Sequence, residues 1–158
     1  MNFKKWKPYF WWVILVEAIG FLAGILTMEG SEIFRLYAEK PPLTPPSWVF
    51  PVVWGILYGL MGISAAIVWL KPDSDDRTKA LRVFWLQLAL NFLWTLIFFN
   101  AQAYSVAAIW ILALWAAAAF MIVRFLKVDR LAALLQVPYL IWLTLATYLS
   151  FGVWFLNG

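Results

Sequence analysis

The chain contains no histidine and no cysteine among its 158 residues. Without histidine it lacks the commonest general base near neutral pH and the commonest metal ligand. Without cysteine it can form no disulfide, no thiolate nucleophile and no thiolate metal site. Zinc centres and Ser–His or Cys–His catalytic arrangements are excluded, and no metal site is expected. No Gly-rich phosphate-binding loop occurs either. Charge is scarce as well: Asp, Glu, Lys and Arg make up 13% of the chain, where a soluble domain carries roughly 25%. Most of the surface must face something other than water.

What is present is apolar and aromatic. The apolar fraction is 65%, with twelve Trp and thirteen Phe, and the mean hydropathy is +0.83. Such a chain suits lipid. Its flat ring faces suit a membrane pocket for a flat, apolar ligand.

Five apolar stretches cover residues 9–28, 48–70, 83–99, 104–123 and 131–156. Each approaches or exceeds the ~20 residues that span a bilayer. In hydrocarbon every backbone N–H and C=O needs an internal partner, so these stretches should be helices. The expectation is an all-α integral membrane protein, a five-transmembrane-helix bundle forming one domain over residues 1–158. The first stretch follows Lys4-Lys5-Trp6-Lys7, a start like that of a signal peptide. No clear small-residue cleavage site follows it, so it is read as a retained helix. Between 83 and 123 the only polar break is Asn100-Ala101-Gln102, which predicts a tight turn between two antiparallel helices.

Cations are placed unevenly. Lys4, Lys5, Lys7, Lys71, Arg77, Lys79, Arg82, Arg124, Lys127 and Arg130 fall on one side of this arrangement, and only Arg35 and Lys40 on the other. The positive-inside rule puts the N-terminus in the cytoplasm, and the C-terminus and loop 29–47 outside. Topology accounts for all ten of these cations, so binding of the basic clusters to anionic lipid or nucleic acid is the weaker reading, and no nucleic-acid partner is needed.

Loop 29–47 is the longest connection on the outer side. Its Pro41-Pro42 and Pro45-Pro46 pairs predict a stiff, extended backbone. Ser47 is placed to cap the second span, and Pro51 falls in its first turn. The loop is either a rigid connector or a lid over the bundle mouth, with Ile33, Phe34, Leu36 and Tyr37 as an apolar face that folds back.

Inside the spans, helical spacing gathers three faces. Trp54, Leu57, Tyr58 and Met61 share one; Asn91, Trp94, Thr95 and Phe98 another; Tyr139, Trp142, Ala146 and Ser150 a third. Together they present aromatic plates with a few neutral polar groups. Trp6, Trp11, Trp12, Trp48, Trp69, Trp85 and Trp154 lie near span ends and read as interfacial belts. Asn91 either forms an interhelical hydrogen bond or meets a ligand. Glu17, an intramembrane carboxylate, either handles ligand or protons or bonds to Gln87 or Asn91. Pro138 should interrupt the fifth span and open space beside Tyr139 and Trp142. Gly20/Gly24 and Gly55/Gly59 are candidates for close helix contact.

These residues carry a resemblance. Lys40-Pro41 with Pro45-Pro46, Trp54-x-x-Leu57-Tyr58, Gln87-Leu88-Ala89-Leu90-Asn91-x-x-Trp94, Phe98-Phe99 and Pro138-Tyr139-Leu140-x-Trp142-x-x-x-Ala146-Thr147 resemble the TspO/translocator protein family. These are the tryptophan-rich sensory proteins, related to the peripheral-type benzodiazepine receptor. The likeness covers nearly the whole chain, with several motifs in order. It implies five transmembrane helices, a homodimer in the bilayer, and a pocket roofed by the first loop. It implies binding of porphyrins such as protoporphyrin IX, with no cofactor required. Trp54 and Trp142 match the tryptophans implicated in tetrapyrrole binding and light-dependent breakdown; Tyr58, Asn91, Trp94 and Ala146 match other lining positions. The chain departs from the family in two places. Leu43 stands where the loop motif usually has Trp, and Phe34-Arg35 where Trp-Tyr is common. After Tyr148 no Lys or Arg follows, which argues against cholesterol as the main ligand. The resemblance and the charge bias suggest a bacterial membrane.

Three functions follow from this reading: a porphyrin sensor or translocator, a light- and oxygen-dependent porphyrin-degrading enzyme, or a transporter. Five spans provide no inverted repeat of the kind that supports alternating access, which weakens the third.

Overall fold

The computed structural model describes residues 2–158. Its helices are α1 (Phe3–Leu26), α2 (Met28–Tyr37), α3 (Val49–Trp69), α4 (Asp75–Thr95, continued by a π-helical turn over Leu96–Asn100), α5 (Tyr104–Leu126), α6 (Arg130–Leu134) and α7 (Val137–Asn157). No strand occurs among the described residues. Five segments are long and apolar enough to cross a bilayer: α1, α3, α4 with its π turn, α5, and α6 with α7. They correspond to the five predicted spans. Several extend beyond the apolar runs, because flanking polar residues still fold as helix. Ser74 caps α4 by accepting the Arg77 amide at 3.1 Å, and Asp129 caps α6 by accepting the Ala132 amide at 2.9 Å.

The helices close a ring. α1 packs on α3, α3 on α6, α7 on α5, α5 on α4, and α4 returns to α1. Val16, Met61, Phe84, Leu114, Phe125 and Leu143 fill its interior and are fully buried. α1 is the least enclosed of the five spans. It comes close to α3 at Gly62, where an added Cβ would lie 2.6 Å from the Val13 Cα. The expected glycine pairs are only half right. Gly20 lies against the Tyr58 ring and Gly59 against Glu17, but Gly24 and Gly55 face open space. A repeat of small residues marks possible contact; which member of the pair meets a neighbour depends on the crossing angle.

One end of the ring carries the ten cations. Lys71 pairs with Asp129 at 2.7 Å and Arg124 with Asp76 at 3.3 Å, so the α3–α4 and α5–α6 connections lie side by side. The Lys71 ammonium, hydrogen-bonded to Asp129, holds that carboxyl below the usual carboxylate range. Lys4 and Lys7 share a pocket with Trp69, which brings the N-terminal segment to the same end.

At the opposite end the first loop differs from its expected extended form. Its first part is the helix α2, with Gly30 and Phe34 turned inward a single turn apart. Phe34 packs against Phe98, Phe99 and Tyr104. Of the four apolar residues expected to fold back, only Phe34 does so; Ile33, Leu36 and Tyr37 are exposed. Gly30 meets the π turn so closely that a Cβ would lie 2.8 Å from the Asn100 Oδ1. Ser47 does not cap α3. The helix opens at Val49 with Trp48 as its flanking residue and no side-chain cap.

Pro138 does interrupt the fifth span. It occupies the first turn of α7, where its missing N–H is harmless, and α6 ends four residues earlier at Leu134. The break is bridged by a tighter bond from the Gln136 amide to the Ala133 carbonyl at 3.1 Å.

Candidate functional site

Three helices meet at Asn91. Its Oδ1 accepts a hydrogen bond from the Tyr58 hydroxyl at 3.0 Å, and its Nδ2 donates to the Tyr139 hydroxyl at 2.8 Å. This ties α4 to α3 on one side and to α7 on the other. All three residues are buried. A carboxamide inside hydrocarbon is tolerated when its polar atoms are paired, and here the tyrosines pair it. Glu17 is a half-buried neighbour of Gly59. It makes no hydrogen bond to Gln87 or Asn91 among the described residues, which corrects the sequence expectation. Asn91 is already engaged by two phenols.

Two tryptophans converge above this bridge. Trp54 stacks on Tyr58 with ring centroids 5.4 Å apart, and meets Tyr139 and Trp142 edge-on, each at 6.3 Å. Phe50 closes the group with an edge contact to Trp142 at 5.6 Å. Both indoles are half-buried. Trp142 also forms a wall of a groove of about 280 Å³ between α3 and α7, lined by Val53, Ile56, Leu57, Pro138 and Ile141 and open toward lipid. The space expected from Pro138 beside Tyr139 and Trp142 is found beside Trp142 only; Tyr139 is buried and does not line the groove.

Trp94 and Phe98 lie in a second cluster. Their rings meet at a tilt, 5.2 Å apart, and pack with Phe99 and Tyr104 beneath Phe34 of α2. Ala146 and Ser150 are buried farther along α7, with the Ser150 hydroxyl returned to the Ala146 carbonyl at 2.8 Å. The nine candidate residues thus divide. Trp54, Tyr58, Asn91, Tyr139 and Trp142 form one continuous group; Trp94 and Phe98 belong to the α2 contact; Ala146 and Ser150 supply the small, self-satisfied stretch of α7.

Four side chains keep buried polar atoms unpaired: the indole N–H groups of Trp94 and Trp142, and both amide atoms of Gln87 and of Gln136. Unpaired buried polar atoms are uncommon, and each calls for a physical reason. Gln136 was not singled out from sequence, although a glutamine two residues before the Pro138 break is itself a signal. Phe50 was also missed; it lies four residues before Trp54, on the same helix face.

The rest of the first loop is strapped to α7. The Asn157 carboxamide bonds Glu39 in both directions, at 2.9 and 2.8 Å, and the Tyr148 hydroxyl donates to the Pro42 carbonyl at 2.7 Å. Pro41 is buried against Gly152, which leaves no room for a Cβ (2.6 Å). Lys40 donates to the Phe34, Arg35 and Ala38 carbonyls and so caps α2, while Arg35 pairs with Glu32. Leu43, at the loop tip, holds φ at 69° and is exposed.

A ring of five apolar helices with an aromatic interior and a strapped loop defines an integral membrane protein of the helix-bundle class. The chain belongs to the TspO/MBR family, whose sequence profile matches residues 8–155. It is 38% identical over 147 residues to the tryptophan-rich protein TspO of Archaeoglobus fulgidus, covering 92% of this chain and 94% of that one. It is 38% identical over 144 residues to the translocator protein of Homo sapiens, covering 89% and 85%. It is 39% identical over 119 residues to the tryptophan-rich sensory protein of Cereibacter sphaeroides, covering 75% and 73%.

Proposed function

We propose that this protein binds porphyrins, protoporphyrin IX foremost, between Trp54 and Trp142, and acts as a tetrapyrrole sensor or translocator. The observation that carries the reading is the convergence of two half-buried indoles from α3 and α7 over the Tyr58–Asn91–Tyr139 bridge. Indole faces grip a planar macrocycle through area burial and ring stacking, each aromatic pair adding about 0.5–1.5 kcal/mol beyond area. The unpaired Trp142 N–H supplies a donor beside the same surface. No cofactor and no coordination bond is needed, so the free-base porphyrin is a sufficient ligand.

The groove beside Trp142, about 280 Å³, lies just below the ~300 Å³ at which ligand pockets begin. A macrocycle therefore enters by parting the Trp54–Trp142 edge contact, with the strapped loop as roof. Arg35 and Lys40 already have protein partners; a propionate at this rim must compete with Glu32 or with the α2 carbonyls. The remaining parts of the proposal are a bacterial cell membrane, a homodimer, a cytoplasmic N-terminus and an external loop 29–47. The uneven distribution of cations supports the orientation.

Protoporphyrin IX titrated into detergent-purified protein should quench tryptophan emission. Trp54→Phe and Trp142→Phe should each weaken binding about ten-fold, as loss of ~1.4 kcal/mol would. Unchanged affinity in both variants would sink the reading. A second function, light- and oxygen-dependent porphyrin degradation, is favoured by the contact between Trp54 and Trp142, which puts two oxidisable rings beside a bound photosensitiser. Illumination separates the two: decay lost in these variants while porphyrin stays bound means enzyme, and equal decay means bystander photochemistry.

A further inference from the structure

At the cationic end of the ring, Lys4, Lys7, Pro8, Trp11, Trp12 and Trp69 line an open, shallow pocket of about 390 Å³. It lies at the end opposite the strapped loop and shares no residue with the porphyrin reading. Its aromatic wall is fixed. Trp12 packs against Trp69 at 6.0 Å, Trp85 at 5.7 Å and Phe84 at 6.0 Å. Trp69 is held in turn by Arg77, whose guanidinium lies 4.7 Å from the ring centroid and donates to the Trp69 carbonyl at 2.8 and 3.1 Å. Lys4 and Lys7 take part in none of the ion pairs among the described residues. Both are exposed, as is Trp11 on the lipid side.

Two unpaired ammonium groups over a rigid indole wall, at the level where spans leave the hydrocarbon, match one chemistry. The cations suit a phosphate in a headgroup region, and the indoles suit the glycerol and upper acyl carbons below it. We propose that this pocket holds the headgroup of an anionic glycerophospholipid, with its phosphate between Lys4 and Lys7 and its glycerol backbone against Trp12 and Trp69. A zwitterionic lipid brings its own cation beside these lysines and is disfavoured.

Native mass spectrometry of the full chain released from nanodiscs of phosphatidylcholine and phosphatidylglycerol in equal parts tests this. Wild type should retain phosphatidylglycerol in preference. Direct contact of both ammonium groups with one phosphate, rather than nearness to an anionic surface, sets the preference, so Lys4→Gln/Lys7→Gln should reduce it about thirty-fold. Lys4→Arg/Lys7→Arg should keep it. Lys127→Gln/Arg130→Gln removes the same charge from the same end outside the pocket, and should change the preference by less than about two-fold. Equal retention of phosphatidylcholine, an equal loss in that control pair, or displacement of the lipid by sodium phosphate would each overturn the assignment.

Discussion

Replacing Gly62 by leucine is expected to cost about 3 kcal/mol or more, at the upper end of overpacking, and to release α1 from the ring. The atoms that a Cβ would meet are the Val13 Cα at 2.6 Å, the Val13 nitrogen at 2.9 Å and the Trp12 carbonyl oxygen at 3.0 Å. All three are backbone, so no rotamer change relieves the clash. Only a shift of α1 does, and that shift unpacks Val16 and Trp12 from the core. Gly62→Ala should show a smaller loss of the same kind. Gly55→Ala is the internal comparison. Nothing lies within 4 Å of its Cβ, so it should gain up to ~1 kcal/mol of helix propensity. Thermal unfolding in detergent micelles reads all three. Equal stability of Gly62→Leu and wild type would show that α1 and α3 are not in this contact.

The second large effect is expected at Asn91. Asn91→Leu leaves the Tyr58 and Tyr139 hydroxyls without their shared partner inside the bundle. A buried polar group left unsatisfied costs about 1–3 kcal/mol, so the two together should cost about 2–4 kcal/mol, allowing for partial relief by relaxation. The same substitution on a Tyr58→Phe/Tyr139→Phe background should cost under ~1 kcal/mol, because no polar group is then stranded. That difference separates a hydrogen-bonded bridge from simple packing. A full cost on both backgrounds would mean that Asn91 acts through its volume. Porphyrin binding should follow the bridge, since Tyr58 is the plate on which Trp54 stacks.

The bridge and the two indoles were legible in the sequence because helical spacing alone puts Asn91, Trp54, Tyr58, Tyr139 and Trp142 on inward faces. Within a bundle, inward faces meet. The five spans were legible for a still simpler reason: hydrocarbon admits long apolar helices and little else. What escaped were features set by geometry between distant segments. α2 is ten residues long, too short to span a bilayer, and its inward pair of Gly30 and Phe34 gains meaning only against the π turn at Leu96–Asn100. That turn is a shift of backbone partner, from Ala101 N–H to Leu96 carbonyl, with no side-chain signature. The Asn157–Glu39 clip joins residues 118 apart in the chain. Trp12 read as a belt residue but became the hub of the Trp69–Trp85 wall, since a span end can face a neighbouring helix as readily as lipid.

The central claim, that Trp54 and Trp142 grip a planar guest, is tested most directly by fluorine NMR of protein labelled with 5-fluorotryptophan. Ring currents of bound protoporphyrin IX act over short range, so only indoles beside the macrocycle respond. With resonances assigned by single Trp→Phe replacement, those of Trp54 and Trp142 should shift together on titration while Trp6 and Trp48 hold still. Shifts confined to the exposed tryptophans at the span ends, with Trp54 and Trp142 unmoved, would contradict the account.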